Sequence, residues 1–144
     1  MQDAEFNQTQ TYVLRLNKDE DLLGQLTEYC NEKEIDAAEI TALGAVTEAT
    51  IGFYDQDEEF YGETDVNKPM EIIQATGNVS YLDGERFVHM HGTFADEDGE
   101  VHAGHLMEGC NVFAGEAIIK ELEGPTLDRV SDPETGLTLW DLDD

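Results

Sequence analysis

Basic residues are scarce in this 144-residue chain: seven lysines and arginines stand against 34 aspartates and glutamates, for a formal net charge of −27. The seven, Arg15, Lys18, Lys33, Lys68, Arg86, Lys120 and Arg129, occur singly. Nucleic acid is held by clustered Lys and Arg that neutralise phosphates, so no basic stripe or arm for that purpose can be read. An anionic membrane surface is disfavoured for the same reason. Cysteine is nearly absent. Cys30 and Cys110 are too few and too far apart for a zinc ribbon or a redox pair, and they read as buried free thiols. No apolar run approaches the length of a membrane span, and residues 1–10 lack the basic start and apolar stretch of a signal peptide, so the expected location is the cytoplasm. The acids spread from Asp3 to Asp144 rather than forming a tail. Their mutual repulsion is screened by concentrated salt, which reads as halophilic adaptation, with an ordinary acidic cytosolic protein as the alternative.

What is present fits one domain spanning residues 1–144, with residues 1–9 expected to be a flexible N-terminus. Residues 11–16, TYVLRL, alternate as a strand with Tyr12, Leu14 and Leu16 on one face. From Asp19 the spacing becomes helical, with Leu22, Leu23, Leu26, Tyr29 and Cys30 in one stripe and Asn17 or Asp19 as cap. Gly24 inside this helix is expected to pack closely on the sheet. Residues 37–43 and 45–54 read as strands around a bend at Gly44, the second placing Ala45, Thr47, Ala49, Ile51 and Phe53 together. The acidic segment DQDEEFYGETDVNKP reads as a surface loop or short hairpin tip, anchored by Phe60 and Tyr61. Residues 70–76 form a strand interrupted at Gly77, and residues 79–82 lead through Asp83-Gly84 into a hairpin. Along 111–122, Val112, Ala114 and Ile118 are expected to share a face with Glu116. DPETG is a turn before a short strand LTLW. The sum is an α+β fold with a mainly antiparallel sheet and packed helices.

All four histidines fall within RFVHMHGTFADEDGEVHAGHL, residues 86–106. Read as two strands around an Asp-Gly turn, the first puts Phe87, His89, His91 and Thr93 on one face and Val88, Met90 and Phe94 on the other. If His91 lies opposite His105, Phe94 faces His102, and His89 is one diagonal step from His105. That register gathers His89, His91 and His105 and turns His102 away, unless a bulge at Ala103-Gly104 returns it. Three imidazoles on one wall suit a divalent metal, most plausibly zinc, with a fourth position open for water or substrate. The competing reading is a set of satisfied polar histidines at a subunit contact. Glu116, an acid among apolar neighbours, reads as a salt-bridged or edge residue, with a functional role as the alternative.

The order YVLRL, DLLGQLTEYC, ITALGAVTEATIGFYD, EIIQATGNVS, FVHMHGTFADEDGEVHAGHL and GEAIIKELEG resembles the Plants and Prokaryotes Conserved (PPC) domain family over nearly the whole chain. The most specific part is His89-x-His91 followed by Ala103-Gly104-His105-Leu106, where the family has Gly-Gly-His-Leu. The resemblance implies a homotrimer, and a fold related to acetolactate decarboxylase and a zinc-containing ester hydrolase. It marks His89, His91 and His105 as metal ligands; His102 and Glu116 stand beside them as additional candidates, and Glu116 or Glu71 as proton-transfer partners if the metal performs hydrolysis or decarboxylation. It also implies chemistry on a small carbonyl compound, or alternatively a DNA-binding or regulatory module. Plant relatives contact DNA through a separate basic AT-hook, and no such arginine-glycine segment occurs in this sequence.

Overall fold

The computed structural model describes residues 1–142 of the chain. Nine strands and one helix follow in the order β1 (Asn7–Leu16), α1 (Leu22–Glu32), β2 (Ala38–Asp55), β3 (Phe60–Val66), β4 (Met70–Leu82), β5 (Glu85–Ala95), β6 (Val101–Leu106), β7 (Asn111–Glu123), β8 (Asp128–Ser131) and β9 (Thr138–Trp140). The fold is therefore mostly sheet with a single short helix, where packed helices in the plural were expected.

The 18-residue β2 is the spine. Along one edge it pairs with β7, which pairs in turn with β1. Farther along that edge Ile51 and Gly52 pair with β6, while the opposite edge pairs first with β4 and then, from Ala49, with β3. The β4–β5 and β5–β6 ladders complete a ring from one edge of β2 to the other, with β7–β1, β3 and β8–β9 branching from it. Pairing is antiparallel throughout except between β4 and β8.

Closure bends β2 at Gly44. Its φ of 143° is one that glycine adopts without strain, and an added Cβ would lie 2.2 Å from the Ala114 carbonyl oxygen. The expected break between two strands is thus a kink inside one. Register shifts beside it swap which residues face inward. Val46, Ala49 and Ile51 are buried, while Phe53 is exposed. Along β7 Ala114, Glu116 and Ile118 share a face as expected, but it is the outward one, and the slip puts Val112 on the buried face with Ala117 and Ile119. Gly77 does not interrupt β4 either, since it is paired with both Ile40 and Met90. The acidic segment read as a loop or hairpin tip contains β3, and β1 starts early enough that Asn7 and Gln8 pair with β7.

Helix α1 buries Leu22, Leu26 and Cys30, one residue per turn, against the sheet. Its cap is Asp21, not Asn17 or Asp19. One carboxylate oxygen accepts from the Gly24 amide at 2.8 Å, and the other accepts from the Gly109 and Cys110 amides, tying the helix start to the β6–β7 loop. Gly24 therefore sits in the first turn against its cap, with Asp21 as its nearest neighbour, and not against the sheet. Phe94, Met90, Ile40, Ile119 and Val112 fill the core beside the helix. Both cysteines are buried free thiols, and burial pushes each up to about 11. No helix among the described residues is long and apolar enough to cross a membrane.

Candidate metal centre

The β5–β6 hairpin is fixed by its turn. Asp96 accepts the Asp98 and Glu100 amides on one carboxylate oxygen, each at 3.0 Å, and Gly99 takes the left-handed φ of 78° that completes the reversal. Five regular pairs follow, from Ala95 opposite Val101 to His91 opposite His105, with no bulge at Ala103-Gly104. This is the register that the histidine spacing anticipates.

Its consequence is a cluster on the outer face of the sheet. Ring centroids lie 5.2 Å apart for His89 and His91, 5.0 Å for His89 and His105, and 5.5 Å for His91 and His105. One ring nitrogen from each lies within 4.8 Å of the other two. His91 is exposed and the others half-buried, so the cluster is open on one side. Burial, reinforced by Arg129 and by the other two rings, pushes His89 down to about 4. Burial also lowers His105, with His91 and Arg129 adding to it. Near neutral pH these two rings are uncharged and keep a lone pair each, as metal ligands must.

The donor set passes a further test of fit. Among the described residues His105 Nδ1, fully buried, has no hydrogen-bond partner, an arrangement that costs free energy unless something takes its lone pair or proton. An ion among the three rings would do so. Borderline donors of this kind, three imidazoles with no carboxylate, are the set expected for zinc and its neighbours.

Other side chains frame the cluster. The Tyr61 ring, from β3, packs 4.9 Å from His105, and Tyr54 packs 5.1 Å behind it. On the opposite side the Arg129 guanidinium, from β8, reaches 3.3 Å from His89 Nδ1 and lies over the Phe87 and Trp140 rings. Tyr61 and Arg129 are absent from the sequence reading of the site. Arg129 could have been flagged as one of seven cations in so acidic a chain.

The structure does not bring His102 or Glu116 to this cluster. His102 lies opposite Phe94, and its Nε2 meets the buried Asp96 carboxylate at 3.0 Å. Lys68 caps the same carboxylate, so that group is an ion-pair knot already holding its cation. Lys68, His102 and the turn amides hold the Asp96 carboxyl well below the usual carboxylate range. Glu116 is exposed on β7, between Leu43 and Arg15 of the flanking strands. Glu71 is exposed at the start of β4, opposite Ala95 at the far end of β5.

A ring-closed sheet with one helix and an outward triad of histidines defines a class. The family model of the Plants and Prokaryotes Conserved (PCC) domain, the family also abbreviated PPC, matches residues 3–123, and the chain belongs to that family. Among solved structures it is similar to a metal-containing protein of Archaeoglobus fulgidus, at 41% identity and a TM-score of 0.93, covering 97% of this chain and 99% of that one. It is likewise similar to a plant- and prokaryote-conserved (PPC) protein of Pyrococcus horikoshii, at 33% identity and a TM-score of 0.91, covering 98% and 97%. A curated relative, the bifunctional protein GlmU of Synechococcus sp. (strain JA-2-3B'a(2-13)), is 30% identical over 127 residues, which are 87% of this chain but only 19% of that protein's length.

Proposed function

We propose that this protein binds a divalent metal, zinc in the first instance, through His89, His91 and His105, and uses it on a small carbonyl compound. The observation that carries the reading is that the three imidazoles bring one nitrogen each within 4.8 Å of the others, beside a His105 Nδ1 that is buried and has no hydrogen-bond partner among the described residues. The metal-containing Archaeoglobus relative supports it at 41% identity. A divalent ion bound here supplies polarisation of a carbonyl oxygen and acidification of water, the requirements of hydrolysis or decarboxylation. The protein's own part is to keep His89 and His105 uncharged by burial, to leave the exposed side of His91 open to a ligand, and to wall the site with Tyr61 on one side and Arg129 on the other.

The reading includes assembly as a homotrimer in a salt-rich cytoplasm. The exposed apolar side chains Val13, Leu43, Ile73, Phe113 and Ile118 support the assembly, since a monomer would leave them in water. Nucleic acid is not among the proposed partners. Four of the seven cations are committed to acids: Lys18 to Asp19, Lys68 to Asp96, Arg86 to Asp36 and Lys120 to Glu39.

Elemental analysis of protein prepared without chelator tests the metal reading. Close to one zinc or similar ion per chain is expected, falling to a trace in His91→Ala. A metal-free wild type that also fails to take up added zinc would favour an interaction module with a structural histidine face.

A further inference from the structure

We infer that Arg129 makes the histidine centre a receptor for a small carboxylate, because the lone pair it now hydrogen-bonds is the one that metal ligation removes. This rests on the metal reading above. Arg129 lies outside the residues matched by the family, on β8, where parallel pairing with β4 sets it opposite Leu82.

A guanidinium has five N–H groups and no lone pair, so in its contact with His89 Nδ1 it donates and the ring accepts. Its Nε donates to Ser80 Oγ at 2.8 Å, Nη1 to the Thr138 carbonyl at 3.2 Å, and Nη2 to Asn78 Oδ1 at 2.9 Å as well as to His89. Among the described residues four N–H groups are placed and one is spare. A neutral imidazole has a single lone pair. If an ion takes it at Nδ1, the guanidinium is displaced from that atom. If the ion takes Nε2, the ring proton moves to Nδ1 and confronts an N–H, donor against donor. The Arg129–His89 contact and metal ligation by His89 therefore exclude each other, and loading the site raises the spare N–H groups from one to two.

Charge points the same way. Three neutral imidazoles do not offset a divalent ion, and among the described residues no carboxylate lies within salt-bridge distance of Arg129, in a chain with 34 acids. A cation beside a metal ligand weakens metal binding unless an anion bridges the two. The hollow between them is lined by Gln2, Asn78, His89, Arg129, Leu139, Trp140 and Leu142. Two N–H donors match the two oxygens of a carboxylate.

The test uses the full chain, with zinc affinity and pyruvate affinity of the zinc-loaded protein measured by calorimetry. In Arg129→Met, pyruvate binding is expected to weaken about tenfold or more, the worth of one charge-assisted hydrogen bond. Zinc binding is expected to tighten about tenfold, because a competitor for the lone pair and a nearby positive charge are both gone. Opposite movement separates this role from a packing defect, which lowers both affinities and would overturn the inference. Should Arg129→Met fail to fold, Arg129→Lys serves. It keeps the charge but not the planar pair of donors, and the pyruvate loss is expected at a smaller size. Wild type that binds zinc but not pyruvate, or variants with unchanged pyruvate affinity, would overturn this inference alone. Wild type that does not bind zinc overturns the metal reading and this inference with it.

Discussion

Gly77→Ala is the substitution for which the structure gives the clearest magnitude. A Cβ built at Gly77 would lie 2.0 Å from the His89 carbonyl oxygen, 2.5 Å from Met90 Cγ and 2.8 Å from Met90 Cα. Ordinary contact begins at 3.4 Å, so the His89 carbonyl would have to retreat by 3.4 − 2.0, or about 1.4 Å. That movement strains the ladder where Thr76, Gly77 and Asn78 face His91, Met90 and His89. Overpacking of this kind costs about 1–3 kcal/mol, and weakening one or two ladder hydrogen bonds adds about 1 kcal/mol. Alanine returns about 0.5 kcal/mol by restricting the unfolded chain. The net expectation is a loss of about 2–3 kcal/mol, or a Tm lower by roughly 5–10 °C for a chain of this size. Circular dichroism melts measure it. Gly84→Ala is the control: its Cβ meets nothing within 4 Å, but its φ of 79° still charges alanine about 1 kcal/mol. Because the crowded atom belongs to His89, zinc uptake should fall in Gly77→Ala and not in Gly84→Ala. A Gly77→Ala protein as stable as its parent would refute the reasoning, since it would mean that β4 and β5 can part without penalty.

Three further outcomes follow from the same structure. Asp21→Ala removes the acceptor for the Gly24, Gly109 and Cys110 amides, and should cost about 2–3 kcal/mol in urea unfolding, more than an ordinary helix cap; a loss below about 0.5 kcal/mol would show that water replaces those bonds. Asp96 is held ionised by Lys68, His102 and the turn amides, so its contribution is present above the unfolded carboxyl pKa of about 4 and is lost as pH falls through its lower folded value. Asp96→Asn should therefore be less stable at pH 7 and show a shallower loss of stability below pH 4; parallel acid profiles would exclude this role. With a net charge of −27, the Tm should rise as KCl shortens the screening length from about 10 Å at 0.1 M to about 3 Å at 1 M, and a flat or falling Tm would remove the salt adaptation.

The site was legible in the sequence where its parts are local. His91 and His105 belong to one hairpin, and an Asp-Gly turn leaves few registers, so alternation alone brings them together with His89 and sends His102 to the opposite face. What surrounds the triad was not legible, because it arrives from far along the chain. Tyr61 reaches His105 only because β3 folds back on the end of β2, and Arg129 reaches His89 only through the parallel β4–β8 pair. Face assignments failed where the alternation skips: the register shift between β2 and β7 parts Val112 from Ala114, Glu116 and Ile118, whose shared face is the exposed one. The helix stripe was readable from its period, whereas its cap was not, since Asp21 is selected by amides at Gly109 and Cys110, nearly 90 residues away.

The most direct measurement is an anomalous difference map recorded at the zinc edge from crystals grown with equimolar zinc and no chelator. A single peak per chain within bonding distance of nitrogens from His89, His91 and His105 is the predicted result. A map without density there, or with its peak instead at the Asp96–His102 knot, would contradict the assignment of the triad as the metal centre.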